Sequence, residues 1–590
     1  MASVIAQRGL ARRWWRSGRV GRTAALGMLF VALGLLVALP TAFVALQAIF
    51  PQLNHGSFAH PLAAIRSTLT QSDTWPLLGN TLRFGVAVAL ASIALGVPLG
   101  ALRGLTRLPA ARLWDLLFLA PFLIPPYLAA LGWMLLLQPH GYLQQLAGFD
   151  LGGYLFSFAG IALTMTLSVF PVVYFAVSRA LMSTGGRLAQ VARVCGATPW
   201  RAFVRITLPL AAPAIAASTL LAFTMAIEEF GIPSALGARA GFSLLVTSIE
   251  ARFSDWPIDL SGAAVLSALL ALTALAAFIA QRRLLAGRDF DTQTGKPVAS
   301  DPFELGRWRW PVLLLFGAAA FCTTIAPLGA IVATSFVRTL SGGLSVSNLT
   351  LAHFAAIASM GEGAGALFTS LGLAAATAVL TGTMGFLAAW IIIKTRTPGR
   401  AALDGLTLLP HAMPGIVIGV GLILAWNLPF WPITPYNTWA ILLLSYSCLL
   451  LPYPVRYASA ALRQIGGSLE AAARVHGATE ARVLWRIVLP LVAPPLAASM
   501  MIVFAVASRE LVTSLLLSPS GVQTASVFIW QQFEQGSIGD GMAMGTLMLV
   551  ISGAVLALAS FWTRRLVLLC HINARAIYSR TGRVPSLHEP

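Results

Sequence analysis

The sequence has too few charged residues to give a chain of its length a water-facing surface. Only 10% of its 590 residues are Asp, Glu, Lys or Arg, whereas 57% are hydrophobic; soluble proteins average about 25% charged residues. The mean hydropathy is +0.80. Most of the surface must therefore face something other than water, and lipid is the obvious candidate.

Motifs for metal binding, disulfides and nucleotide hydrolysis are also missing. The chain has four cysteines and eight histidines, all dispersed, without a CxxC pair or a Cys/His cluster, so we expect no disulfide framework, metal site or cofactor. No G-x-x-x-x-G-K-[ST] phosphate loop is present, since Gly295-Lys296 is followed by Pro297. We also find no Ser/His/Asp set and no paired-carboxylate site, and predict that the chain is not an enzyme.

The excess of positive charge, formally +19, has the pattern of a membrane protein. Arginines cluster in short runs between apolar stretches, which is typical of cytoplasmic loops and not of a nucleic-acid-binding domain. We therefore expect no nucleic-acid partner. The first apolar run, 24–50, is longer than the roughly 7–15 residues of a signal-peptide core, so we interpret it as a transmembrane helix.

About twelve apolar stretches approach or exceed the roughly 20 residues that a helix needs to cross a bilayer. The predicted spans are 24–50, 79–104, 112–138, 154–181, 210–231 and 258–283, followed by 309–337, 364–394, 401–427, 436–462, 491–516 and 541–569. Alternate loops hold most of the arginines, and the positive-inside rule makes these loops, and both termini, cytoplasmic.

The spans divide the chain into two halves. We predict an all-α membrane protein with about 12 transmembrane helices in two parallel, pseudo-symmetric six-helix halves. Its segments are a basic cytoplasmic N-terminus (1–23), the first half (24–283), a polar cytoplasmic linker (284–308), the second half (309–569) and a cytoplasmic tail (570–590).

Two cytoplasmic loops, 185–209 and 466–490, are copies of each other; we call them the first and second repeated loops. Across 185–218 and 466–499, 20 of 34 positions are identical without a gap. Lipid imposes no constraint on such loops, so their likeness needs another cause. The sequence predicts a short helix–turn–helix in each, suited to a partner with two-fold symmetry.

Local chemistry supports that prediction. Gly196 suits the left-handed residue that ends a helix, and Thr198 suits the cap of the next one. Arg201 lies on this second helix, and Pro209 is expected to end it before the next span. The second loop repeats these features with Gly477, Thr479, Arg482 and Pro490.

These loops resemble the EAA loops of binding-protein-dependent ABC importer permeases. The family pattern is Glu-Ala-Ala, three residues, Gly, nine residues, then Ile-x-Leu-Pro. From Gly196 the nine-residue spacer leads to Ile206-Thr207-Leu208-Pro209, and from Gly477 it leads to Ile487-Val488-Leu489-Pro490. The family's glutamate is replaced by Gln190 and Ala471, and Glu470 immediately before Ala471 is the candidate substitute.

The resemblance implies a transport subunit of the bacterial inner membrane without ATPase activity. Two copies of a separate ABC ATPase subunit would dock on the repeated loops, and a periplasmic or extracellular solute-binding protein would deliver the solute from outside. The implied coupling positions are Gln190, Ala192, Gly196, Ala197, Thr198, Arg201 and Pro209, with Glu470, Ala471, Ala473, Gly477, Ala478, Thr479, Arg482 and Pro490 in the second loop.

Polar and helix-breaking residues within spans mark a possible pathway. Glu229 and Glu510 occupy matching places in the two halves; ionisable residues in spans are functional candidates, although acids at a span end also reach interfacial water. Prolines interrupt spans at matching places, as broken helices beside substrate paths do, or as simple kinks. The pathway candidates are Pro121, Pro125, Tyr127, Glu229, Pro410, Pro414 and Glu510.

The expected cargo is ferric iron, because Pro125 to Trp133 and Glu229 to Pro233 look most like the ferric-iron and phosphonate branch of fused double permeases. Importers of 2-aminoethylphosphonate, thiamine or polyamines are the alternatives. A secondary transporter with two parallel halves is the main rival, and the repeated loops argue against it.

Overall fold

The computed structural model describes residues 27–285 and 302–558, apart from positions 360, 396, 429, 430 and 556. The predicted N-terminal segment 1–23, most of the linker 284–308 and the tail 570–590 lie outside this part of the chain. The regular structure described there is helical, with only two isolated β-bridges. The predicted all-α class is confirmed.

Besides the short helices Ala63–Thr70 and Gly152–Leu155, the described residues of the first half contain nine helices, several of them long enough to cross a bilayer. They are α1 Gly27–Ile49, α2 Thr74–Leu105, α3 Ala111–Pro121, α4 Pro126–Ala147, α5 Phe158–Val194, α6 Trp200–Glu228, α7 Gly231–Ala240, α8 Leu245–Ser254 and α9 Leu260–Leu284.

The described residues of the second half repeat this order, again with two further short helices, Ala352–Ser359 and Glu480–Val483. The helices are α10 Gly306–Ser335, α11 Gly361–Lys394, α12 Arg400–Ala412, α13 Gly415–Trp426, α14 Trp439–Leu450, α15 Pro452–Gln464, α16 Gly467–Val475, α17 Leu484–Ala507, α18 Val512–Leu517, α19 Ala525–Glu534 and α20 Ile538–Val555.

Three predicted spans are bent pairs rather than straight helices. The prediction for 112–138 corresponds to α3 and α4, that for 401–427 to α12 and α13 with a bend of 114°, and that for 436–462 to α14 and α15 with a bend of 43°. Proline causes the breaks, since it removes a backbone donor and clashes with the preceding turn. Within the described residues, nine straight helices and up to four bent pairs suit a membrane, so the expected number of spans lies within the observed range of 9 to 13.

One predicted span end was wrong. The helix predicted for 491–516 ends at Ala507, and a separate short helix, α18, begins at Val512. The sequence also gave no sign of the helical hairpin α7–α8, whose two helices meet at 87°. The pair α18–α19 occupies the equivalent place in the second half. These hairpins begin directly after Glu229 and Glu510, so both acids lie at helix breaks.

The two halves are interlocked by their first helices. α1 of the first half packs on α13 of the second half, and α10 packs on α4 of the first half. The helices approach so closely that a Cβ at Gly421 would lie 2.5 Å from the Pro40 carbonyl oxygen, and a Cβ at Gly132 would lie 2.5 Å from the Pro327 carbonyl oxygen. Only glycine permits this backbone contact. The two pseudo-symmetric halves therefore contact each other at two equivalent helix crossings.

Candidate functional site

The first repeated loop is a continuation of a membrane helix. α5 runs without interruption from Phe158 to Val194, 37 residues in all, whereas the predicted helix–turn–helix would begin with a separate short helix. An α-helix rises 1.5 Å per residue, so α5 spans roughly 55 Å. Its last turns, which include the backbone of Gln190, project beyond the span Phe158–Met182.

The predicted glycine turns are confirmed. Gly196 has φ +89° and Gly477 has φ +79°, which is left-handed backbone that favours glycine. In each loop the residue after the glycine donates its backbone N–H to a carbonyl five residues earlier, Ala197 to Ala192 at 2.9 Å and Ala478 to Ala473 at 3.0 Å. This is the Schellman arrangement that satisfies the end of a helix.

The threonine caps are also present. Thr198 Oγ1 accepts a hydrogen bond from the backbone N–H of Arg201 at 3.3 Å, and Thr479 Oγ1 accepts one from Arg482 at 3.4 Å. Both arginine side chains are exposed. The two loops thus share one conformation, capped by equivalent residues, and present a cation at equivalent positions.

The expectation that Pro209 and Pro490 end a helix was wrong. The helix of the first half continues through its proline from Trp200 to Glu228, and that of the second continues from Leu484 to Ala507. Each proline follows a π-helical turn, 203–207 or 484–488. Proline has no backbone N–H, and the wider turn accommodates the loss of that hydrogen bond.

Each repeated loop also exposes an apolar tip. Val194 is 88% exposed and Val475, at the equivalent position, is 84% exposed. An exposed apolar side chain thus recurs at the same place on both loops. Both valines precede the left-handed glycine by two residues, so the same turn sets their direction in each loop.

The acidic candidate Glu470 does not face outward. Its side chain is 9% exposed and its Oε1 lies 2.8 Å from Lys394 Nζ, while Ala471 beside it is exposed. The angle of approach falls outside hydrogen-bond geometry, so the contact with Lys394 is an ion pair by proximity. In this structure the carboxylate is engaged within the chain.

A group of polar side chains lies where the helix breaks of the two halves meet. We call Tyr127, Glu228, Glu229, Arg509 and Glu510 the central polar cluster. All four charged residues are partly exposed, and they interact electrostatically: Glu229 with Glu510 and Arg509, and Tyr127 with Arg509 and Glu510. The structure therefore brings together three of the predicted pathway residues, Tyr127, Glu229 and Glu510.

The two matching acids cap the hairpins that follow them. Glu229 Oε1 accepts the backbone N–H of Gly231 at 3.0 Å, and Glu510 Oε1 accepts that of Thr513 at 3.3 Å. A Cβ at Gly231 would lie 2.4 Å from Tyr127 Cβ. This close approach places the α3–α4 break, marked by Pro121 and Pro125, beside Glu229. The corresponding prolines of the second half, Pro410 and Pro414, are buried at the α12–α13 break.

Two other buried polar atoms of the cluster, Oε1 of Glu228 and Nη1 of Arg509, have no hydrogen-bond partner among the described residues. Buried polar atoms normally pair, so the cluster keeps unused hydrogen-bonding capacity. Within the described residues no three His, Cys, Asp or Glu side chains lie close enough together to hold a metal ion.

Several residues around the central polar cluster were not among the predicted pathway residues. Trp530 lies with its ring centroid 6.4 Å from that of Tyr127 and 6.1 Å from that of Phe230. Tyr446 is hydrogen-bonded to Ser514 at 2.5 Å. Nothing in their local sequence separates these aromatic residues from ordinary core residues; only the long-range packing of α14 and α19 assigns them to this place.

Comparisons with known proteins agree with the repeated architecture. The family described as "binding-protein-dependent transport system inner membrane component" matches residues 92–287 and again 381–568. Both matches contain one repeated loop, and each ends near the close of its predicted half.

Two curated relatives match most of this chain. The ferric transport system permease protein FbpB of Actinobacillus pleuropneumoniae is 28% identical over 444 residues, which cover 74% of this chain and 64% of the relative. The Fe(3+)-transport system permease protein FbpB 2 of Haemophilus influenzae is 25% identical over 536 residues, 90% of this chain and 96% of the relative.

A shorter relative matches one part of the chain. The sulfate transport system permease protein CysT of Escherichia coli is 30% identical over 177 residues, 29% of this chain and 62% of the relative. The family match in both halves, the paired loops and the many apolar helices lead to one conclusion. This chain belongs to the family of binding-protein-dependent transport system inner membrane components and is a multi-pass inner-membrane permease.

Proposed function

We propose that this chain forms the whole membrane pathway of an ATP-driven importer, with two copies of an ABC ATPase subunit docked on the two repeated loops. The observation that carries the proposal is the matching conformation of these loops, down to the left-handed glycine, the threonine cap and the exposed valine. Two like surfaces on one chain suit two identical subunits. A solute-binding protein would dock on the opposite face.

Closure of the ATPase dimer would move the loops together and rock the halves. In the first half the loop belongs to the same rigid helix, α5, as the membrane span. In both halves the first helix crosses to the other half, so neither half rotates without the other. These features favour alternating access by rigid-body movement.

The proposed topology has both termini in the cytoplasm, the first half over 24–283, the second over 309–569 and the linker 284–308 on the cytoplasmic side. The chain crosses the membrane twelve times if the hairpin α7–α8 enters and leaves the bilayer on the same side. The equivalent pair α18–α19 is not among the helices long and apolar enough to cross a membrane, which supports this interpretation. An even number per half keeps the repeated loops on one face.

Co-purification tests the docking proposal. We expect the wild-type chain in detergent to retain its ATPase, and the double variant Gly196→Asp plus Gly477→Asp to lose it, because aspartate does not adopt left-handed backbone as readily as glycine. A wild-type chain that retains no ATPase, or a variant that retains as much as wild type, would contradict the proposal.

We propose ferric iron as the cargo. The support is that two relatives that match most of this chain are named ferric or Fe(3+) transport permeases; 2-aminoethylphosphonate, thiamine and polyamines are the alternatives. The test is uptake of radiolabelled iron into proteoliposomes that contain this chain, its ATPase and its binding protein. Competition by one of the alternative solutes, with no iron uptake, would reassign the cargo.

We propose that the central polar cluster lines the path of the cargo. Its polar side chains and unpaired polar atoms lie where the broken helices of the two halves meet. The variant Glu229→Gln plus Glu510→Gln should keep the ATPase bound and lower uptake at least tenfold. The control Glu250→Gln alters an acid that is bonded to Ser254, outside the cluster. Normal uptake by the double variant would refute this role.

A further inference from the structure

The connection between repeated loop and membrane differs in the two halves. In the first half, helix α5 passes from the span into the loop without a break. In the second half, α15 ends at Gln464 and the loop helix α16 starts at Gly467, with extended backbone at Ile465 (ψ 107°) and Gly466 (ψ 141°) between them. A movement of the second loop is therefore not carried into α15 by a continuous helix.

A buried ion pair spans this break. Lys394 is the last residue of α11, and its Nζ lies 2.8 Å from Glu470 Oε1 in the first turn of α16. The same ammonium donates a hydrogen bond to the Ile465 carbonyl oxygen at 2.8 Å. Lys394 therefore contacts both the backbone at the break and the helix that follows it.

The pair is well shielded from water. The Lys394 side chain is 12% exposed and that of Glu470 is 9% exposed. Arg474, one turn further along α16, approaches the other carboxylate oxygen at 3.5 Å. The surrounding apolar cluster contains Phe386 of α11 together with Ile465. A charge pair in such surroundings is screened little by solvent and salt.

The two positions of this pair hold uncharged residues in the first half. At the positions equivalent to Lys394 and Glu470 the sequence has Leu105 and Ala189. The cytoplasmic end of α2 is instead held by Arg103, whose Nη2 lies 2.7 Å from Asp115 Oδ2 on α3. The continuous α5 makes a pair at the loop unnecessary there. The ion pair is thus present where helix continuity is lost, and its equivalent positions are uncharged where continuity is kept.

We propose that Lys394 and Glu470 are a positioning pair that transmits movement of the second repeated loop to α11, in place of the continuous helix that serves the first loop. The inference rests on the proposed docking of an ATPase subunit on each loop. It assigns neither residue to the docking surface or to the cargo path. Their function is to couple hydrolysis to transport.

The test compares coupling with docking in proteoliposomes that contain the permease, its ATPase and its binding protein. The variants are Glu470→Gln, Lys394→Met and the double variant with both changes, which leaves no unpaired buried charge if the single variants fail to fold. We expect each folded variant to retain bound ATPase and basal hydrolysis, while the solute transported per ATP falls at least fivefold. The conservative variant Lys394→Arg should remain within twofold of wild type.

A matched control is available where the first half contacts the linker. Arg107 and Glu304 form an ion pair with the same 2.8 Å separation but on the exposed surface, so Glu304→Gln should leave coupling unchanged. Unchanged transport per ATP in the double variant would overturn the inference, as would loss of the ATPase from it. If wild type binds no ATPase, the proposed function itself fails, which is a different result.

Discussion

Replacing the left-handed glycines of the repeated loops by alanine isolates the effect of backbone conformation on docking. Gly196 and Gly477 have φ +89° and +79°, and a Cβ built on either meets no atom within 4 Å. Alanine therefore introduces no clash. Its cost is the left-handed backbone itself, roughly 1–2 kcal/mol for a residue with a Cβ.

That cost determines the size of the expected effect. Since 1.4 kcal/mol corresponds to a factor of ten, Gly196→Ala should lower the occupancy of the docking conformation, and hence the apparent affinity for the ATPase, by up to about thirtyfold. Gly477→Ala should do the same. The loops are separate elements, so the double variant should lose up to about a thousandfold.

Titration of labelled ATPase onto the chain in lipid nanodiscs measures this affinity directly. Gly467→Ala is the matched control, because this glycine begins α16, has no left-handed backbone and also has free space around its Cβ. Asparagine at 196 should cost less than alanine, since it adopts left-handed backbone more readily. Equal affinities for wild type and the double alanine variant, or equal losses at 467 and 477, would refute the reasoning.

Three further outcomes are expected. Val194→Glu plus Val475→Glu should abolish ATPase co-purification without lowering the thermal midpoint of the permease, because both valines are almost fully exposed; a lowered midpoint would mean that they are structural. Gly421→Ala should lower the midpoint by an amount equivalent to about 1–3 kcal/mol, because its Cβ would lie 2.5 Å from a carbonyl oxygen of the facing helix, whereas Gly317→Ala has open space and should not. Cys195, which is exposed, should react with a membrane-impermeant maleimide in inside-out vesicles but not in spheroplasts. The reverse result would mean that the repeated loops face the outside and that the proposed topology is wrong.

The features that sequence reasoning predicted are local ones. Hydropathy and arginine placement located the long helices, because lipid requires continuous apolar runs. The turn at Gly196 and the cap at Thr198 were predictable, since each depends on residues within a few positions. The prolines likewise marked the broken helices, although the pattern did not give the size of each bend.

The features that could not be predicted from the sequence depend on contacts between residues far apart in the chain. Gly132 and Gly421 look like ordinary glycines of apolar helices, and only the fold shows that each receives a helix of the other half. The break at 508–511 was missed because the apolar runs on both sides of this short polar stretch read as one continuous span. Glu470 was interpreted from its place in the loop, whereas its partner Lys394 lies 76 positions away in sequence, at the end of another helix.

The most direct test of the central claim is the energy source of transport. The chain would be reconstituted with its ATPase and binding protein in proteoliposomes loaded with ATP, and solute uptake would be measured with and without hydrolysable nucleotide and with ion gradients collapsed. We expect uptake that requires ATP, the ATPase and the binding protein, and that persists without a gradient. Uptake that follows an ion gradient in the absence of the ATPase would contradict the importer and identify a secondary transporter.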